Sequence, residues 1–300
     1  MIEGTADPMP GSPREMHGRP TRRLGNDHCW FEFLTEGGPR VVGLGLPGGE
    51  NLLAETPEAS WDSGYGRYDL VGGHRLWFAP EAPECSAPDS SGLRYEVGPD
   101  YAQLQGAVEA PTGLRKRIHV QLDPKAAVLT LIHTLCNEGS KTLELAPWPV
   151  TQLRLGGVAF VALPLPVTEH LLAPGSSVAM WPYASWADSR LSFDHGLLEV
   201  QGRSGPAFKV GCWTTASAMG YLRDQVLFVK RFDPAPSSRH PDAGCNAELH
   251  ADESAIELEA LGPLVKLAPG RSVARQERWE LHVVEPEADL LELVGRYSLR

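Results

Sequence analysis

The chain contains no CxxC pair, and its five cysteines, Cys29, Cys85, Cys136, Cys212 and Cys245, are scattered over 300 residues. An odd, dispersed set offers no disulfide framework and reads as a reduced, cytoplasmic protein. No window approaches the roughly 18 apolar residues of a membrane helix. The first 25 residues lack the apolar stretch of a secretory signal. Basic charge is also short: Lys+Arg number 27 against 38 Asp+Glu, a net charge of −11. Nucleic-acid binding needs a basic face, so that class of partner is excluded. No repeat of propeller or solenoid length is visible.

Turn formers, by contrast, are plentiful. Gly 31 and Pro 26 make up nearly a fifth of the chain, too many for a helical bundle and too few for low complexity. Between them run strand-like segments. Residues 28–34 (HCWFEFL) and 40–46 (RVVGLGL) flank the turn signal Glu36-Gly37-Gly38-Pro39. Residues 114–122 and 126–137 flank Asp123-Pro124, and 142–150 continues the meander. Further strands are expected at 197–200, 207–212, 226–232, 246–251, 255–261 and 272–283. Helical spacing occurs only in 285–297, where Leu290, Leu291, Val294 and Tyr297 follow Pro286. Residues 1–25 read as a loosely ordered arm. Residues 26–300 read as one all-β domain of two packed, mainly antiparallel sheets with a short C-terminal helix.

Several spellings resemble motifs without their context. Gly43-Leu44-Gly45-Leu46-Pro47-Gly48 matches GxGxxG, but no helix follows to meet a pyrophosphate, so it reads as a turn. His133 and Cys136 are three apart on a strand and face opposite sides, a poor metal pair. Arg115-Lys116-Arg117 reads as a solvated strand face. His240, Asp242 and Cys245 could approach one metal in a loop, but turn composition is the simpler explanation.

Three constellations carry more chemistry. GGHRLW (72–77) puts His74 and the fork-shaped donor Arg75 after two glycines and before aromatics, a set suited to a polar ligand or to a turn entering a core strand. In 255–263, alternation puts Glu257 and Glu259 on one strand face. Paired carboxylates on an enclosed face raise at least one pKa, the environment a general acid or base needs; a solvated face is the plainer alternative. Glu248 and His250 share a face one strand earlier. Trp148, flanked by Pro147 and Pro149, could be a sugar-stacking platform or a core plug. Trp181, Tyr183 and Trp186 add loop aromatics.

The order GGHRLW (72–77), CNEGSKTLELAPW (136–148), FVKRF (228–232), PDAGCNAEL (241–249), IELEALGPLVKLAPG (256–270) and ERWEL (277–281) resembles proteins related to aldose 1-epimerase, the galactose mutarotase-like superfamily. The likeness spans about residues 26–284. It implies a β-supersandwich with a carbohydrate cleft, a small-molecule sugar or glycan as partner, and no cofactor. It also implies anomer interconversion by a Glu base and a His acid. Glu259 matches the base. Trp148 stands where the family's acid His would be, and His74 loosely resembles a second cleft histidine, able to serve as acid or substrate contact. Arg75, Trp77, Trp148, Lys230, Asp242 and Glu248 are the implied substrate contacts. The alternative is a carbohydrate-binding protein that has lost the acid. No residue pattern points to an oligomeric state or a metal.

Overall fold

Alternation of buried and exposed side chains builds several of the strands, while central ones are buried on both faces. The computed structural model describes residues 11, 13–164, 175–236, 238–286 and 288–299. In Leu114–Leu122 every second side chain is buried, from Leu114 through Ile118 and Val120 to Leu122. That strand pairs antiparallel with Val128–Asn137 around Asp123-Pro124, as the turn signal requires.

Among the described residues, one sheet holds eleven strands. Its ordered path runs Pro13–Met16, Arg19–Gly25, Trp30–Leu34, Val41–Gly45, His74–Ala79 and Leu143–Leu153. It continues through Ile256–Ala260, Ala247–Ala251, Phe208–Cys212 and Val178–Met180, with Val265–Leu267 paired to the start of Leu143–Leu153. The second sheet has ten strands, centred on Val226–Phe232, Ser272–Val283 and Val128–Asn137. Between the sheets lies one large apolar core, including Phe31, Phe33, Leu76, Leu131, Phe228 and Trp279. The architecture is the expected all-β supersandwich.

Two details differ from expectation. Residues 13–25 are strand: Pro13–Met16 and Arg19–Gly25 form a hairpin whose second strand pairs with Trp30–Leu34. Leu24 is buried in the core, which ties this stretch down; residues 1–10 and 12 of the expected arm lie outside the described residues. The C-terminal helix is shorter than its periodicity suggested, Leu290–Arg296, with Asp289 capping the amides of Leu291 and Glu292. Leu293 and Val294 on its inner face join a satellite core with Leu227 and Val229.

The glycine patterns turn out to serve close packing. Gly43 and Gly45 make room for the Trp30 indole; a Cβ there would lie 2.7 and 2.8 Å from its ring. Gly72 and Gly73 have φ of +95° and +72°, and a Cβ would lie 2.2 Å from the Ala54 carbonyl and 2.3 Å from that of Val41. Both obstacles are backbone, so neither can swing away. Gly73→Ala is therefore expected to cost more than about 2 kcal/mol, checked by urea unfolding.

Candidate functional site on the acidic face

The eleven-stranded sheet has two faces, and its period of two sorts the side chains between them. Val150 pairs with Arg75 and with Glu259, and Trp148 pairs with Trp77. Glu259 in turn lies opposite Glu248, and Glu257 opposite His250. Lys209 lies opposite His250, and Gly211 opposite Glu248. Arg75, Trp77, Trp148, Glu257, Glu259, Glu248, His250 and Lys209 thus share the face turned away from the second sheet.

Lys209 organises this face. Its Nζ is 2.8 Å from Glu259 Oε2 and 2.8 Å from Glu248 Oε2. The ammonium also lies 4.5 Å from the Trp148 ring centroid and 4.6 Å from that of Trp181, a cation between two indoles. Glu259 Oε2 accepts a second hydrogen bond from Trp148 Nε1 at 2.7 Å. Burial opposes charge on Lys209, but Glu259 and Glu248 overcome it and hold the ammonium well above its ordinary range.

The two glutamates are driven apart. For Glu259, burial favours the neutral form, but Lys209 prevails and lowers its pKa below the ordinary carboxylate value. For Glu248, burial prevails over Lys209, and the neighbouring charges of Glu259 and Asp242 push further the same way. Its pKa rises well above the ordinary range. One buried carboxylate stays ionised while its neighbour holds a proton, the division of labour that acid–base chemistry uses.

The face is short of partners. Glu259 Oε1, Glu248 Oε1, Nε and Nη1 of Arg75, Gln152 Oε1 and His250 Nδ1 are buried without a hydrogen bond. Such orphans are costly inside a protein, and they cluster here on one sheet face. The Arg75 guanidinium rests 4.2 Å over Trp77 and reaches Glu257 at 3.4 Å. Glu81, Tyr183 and Asp242 lie close enough to this face to interact with Lys209 and Glu259. Burial raises the pKa of all three, while Lys209 and Glu259 act on each of them. Glu81 and Tyr183 are nonetheless solvent-exposed.

Sequence reasoning assembled Glu259, Glu248, Arg75, Trp77, Trp148 and Asp242 in this region. It misplaced His74 and Lys230, which sit on the opposite side of the sheet, inside the core. His74 is adjacent to Arg75 on one strand, so the two must face opposite ways. Its Nε2 lies 2.7 Å from His133 Nε2, and its Nδ1 lies 2.9 Å from Thr151 Oγ1. Lys230 belongs to the second sheet and points inward, donating to Thr151 Oγ1, Pro149 O and Leu258 O and pairing with Glu277 at 3.2 Å. Neither reaches the acidic face. Trp148 is buried, with Lys209 over its ring and the Trp77 ring 5.5 Å away, so it is floor and not an open stacking platform. Lys209 itself was missed. Its only sequence signal is a lone cation in the apolar strand Phe208–Cys212.

His74, His133 and Glu277 also bring three potential ligand atoms within 4.8 Å of one another. Donor logic explains them without an ion. Lys230 can only donate to Thr151, and the Arg275 carbonyl can only accept from His133 Nδ1 at 3.3 Å. The Thr151 hydroxyl then donates to His74 Nδ1, and His74 Nε2–H donates to His133 Nε2. The chain closes with both imidazoles neutral, and Lys230 already balances Glu277. These residues do not fit a metal site.

With this geometry in view, comparison with solved structures is informative. A candidate aldose 1-epimerase from Klebsiella pneumoniae superposes with a TM-score of 0.60 over 90% of this chain and 80% of its own, at 11% identity. One from Escherichia coli K12 gives 0.56 over 88% of this chain and 99% of its own, also at 11% identity. A galactose mutarotase-like protein from Lactobacillus casei gives 0.53 over 87% and 100%, at 9% identity. The fold is the galactose mutarotase-like supersandwich. No family model matches the chain, and no curated protein matches it in sequence. No helix among the described residues is long and apolar enough to cross a membrane.

Proposed function

We propose that the acidic face of the larger sheet is a carbohydrate cleft and that its carboxylate pair interconverts sugar anomers. The observation that carries this reading is the cluster of buried, unpartnered polar atoms around Glu259 and Glu248. A sugar ring offers hydroxyl donors to Glu259 Oε1 and oxygen acceptors to Arg75. The galactose mutarotase-like fold supports the same substrate class.

Glu259 takes the proton of the anomeric hydroxyl while Glu248 gives its proton to the ring oxygen. The bond from the anomeric carbon to the ring oxygen breaks, leaving an open-chain carbonyl. Rotation about the neighbouring C–C bond presents the other carbonyl face. Closure returns the proton from the ring hydroxyl to Glu248 and that on Glu259 to the new anomeric hydroxyl. The balance needs no cofactor. Exchange NMR or polarimetry on freshly dissolved aldoses tests it. Glu259→Gln and Glu248→Gln are each expected to lower the catalysed rate by about 10²-fold or more. Acceleration by neither wild type nor variants on any aldose removes the catalytic half of the proposal.

One observation favours a second reading, a non-catalytic sugar binder. Glu259 Oε2 is fully engaged by Lys209 and Trp148, and that engagement makes the carboxylate a weak base. Saturable sugar binding without turnover, lost in Arg75→Ala, would select it.

A further inference from the structure

We infer that a second cavity, lined by Lys116 and Glu109, binds a small neutral polyol of the size of glycerol or xylitol. It encloses about 240 Å³, well beyond the roughly 30 Å³ that one water occupies. Segments distant in the chain build it: the turn at Gly37, Gly38 and Pro39, the stretch holding Pro88, Asp89 and Ser91, and residues 106–110. Lys116 lies on the buried face of Leu114–Leu122, its ammonium 5.9 Å from the Phe78 ring centroid. Phe78 follows Trp77 on one strand and so faces the opposite way. The larger sheet therefore separates this cavity from the acidic face.

Its polar groups are buried and its remaining lining is largely apolar. Lys116 and Glu109 are both more than nine-tenths buried, and the ammonium lies 2.6 Å from Glu109 Oε1. Glu109 Oε2 accepts from Thr112. Next to Pro39, the buried Arg40 holds Asp89 at 2.8 Å and donates to the Tyr68 hydroxyl. Pro39, Pro88, Ala107, Val108 and Ala110 complete the lining.

The spare capacity lies with the donors. An ammonium has three N–H groups, and among the described residues Lys116 meets only one carboxylate oxygen, that of Glu109. Arg40 Nε is also buried without a hydrogen bond. A ligand is therefore held through its acceptors, and charge selects among them. Lys116 and Arg40 match Glu109 and Asp89 one for one, so the site carries no net charge for an ion to neutralise. An anion on Lys116 would share one ammonium with Glu109 and meet its repulsion. A cation finds each carboxylate already facing its own. A hydroxyl oxygen accepts from Lys116 without either cost, its own proton reaches a remaining carboxylate lone pair, and its C–H groups pack on the prolines and Val108.

Titration calorimetry of the full chain with xylitol, acetate and methylammonium tests the site. Xylitol is expected to bind saturably, and the two ions about tenfold more weakly or not at all. Lys116→Met/Glu109→Met replaces the buried pair by apolar groups of similar length, a change that folds often tolerate. It should weaken xylitol about tenfold or more, as lost hydrogen bonds to a charged donor do. Ala107→Leu narrows the cavity, keeps both charges and should weaken xylitol to a similar degree. Melting temperatures confirm folding, and Ala107→Leu decides alone if the double variant does not fold. Absence of xylitol binding overturns the inference, as does tighter binding of acetate or methylammonium. Xylitol binding that survives Ala107→Leu and the double variant but is lost in Arg75→Ala places the polyol on the acidic face and also overturns it.

Discussion

Replacing Lys209 with methionine is expected to destabilise the fold by about 3–5 kcal/mol, the cost of leaving a buried carboxylate without its cation. The ammonium is buried, touches both Glu259 and Glu248 at 2.8 Å, and among the described residues no other basic group reaches either glutamate within ion-pair distance. Methionine keeps the length and the contact with Trp148 and Trp181, so the loss reports charge and not packing. The variant has a second signature. Without Lys209, the largest offset to the burial that raises the Glu259 pKa is lost, and only the weaker effects of His250 and the Trp148 hydrogen bond remain. A raised carboxyl contributes stability below its unfolded value and loses it as pH rises through the folded one. The penalty should therefore be larger at pH 8 than at pH 5.5 in paired urea titrations. Adding Glu248→Gln and Glu259→Gln to Lys209→Met should recover much of the loss, as expected for residues that act as one unit. A Lys209→Met protein as stable as wild type at both pH values would show that the ion cluster does not hold the sheet.

The same local rule explains both what was legible and what was missed. Alternation alone put Glu257 and Glu259 on one face and Glu248 beside His250, and the strand pairing confirms it. Applied to His74 and Arg75, that rule already separates them, because neighbours on a strand cannot share a hollow. Which face looks into the core is a different matter. It depends on the sheet order, in which Leu143–Leu153 lies between His74–Ala79 and Ile256–Ala260. These pairings join segments far apart in the chain, and nothing local encodes them. Lys209 and Lys230 make the point. Each is a buried lysine in an otherwise largely apolar strand, Lys230 differing in having Arg231 beside it. One belongs to the larger sheet and faces outward onto Glu248 and Glu259; the other belongs to the second sheet and faces inward onto Glu277.

Acidification should expose the buried histidine pair. Burial, first of all, lowers the pKa of His74 well below its ordinary value and that of His133 to about 4. In the unfolded chain both titrate near 6.5. Between those values the unfolded state binds protons that the native state refuses, so stability falls as pH falls. Each histidine contributes a slope of about 1.4 kcal/mol per pH unit, and His133 alone accounts for about 3 kcal/mol by pH 4. Glu248 works against this. Its native pKa lies well above its unfolded one, so falling pH favours the native state until the unfolded carboxyl also protonates. The wild-type slope below pH 6.5 is therefore a difference. Glu248→Gln removes the opposing group, and its stability should drop more steeply with acid than that of wild type, towards about 2.7 kcal/mol per pH unit. Urea unfolding of both proteins between pH 7.5 and 5 measures the two slopes. If Glu248→Gln and wild type lose stability in parallel, Glu248 does not carry the buried proton on which both the acid slope and its role as the acid depend.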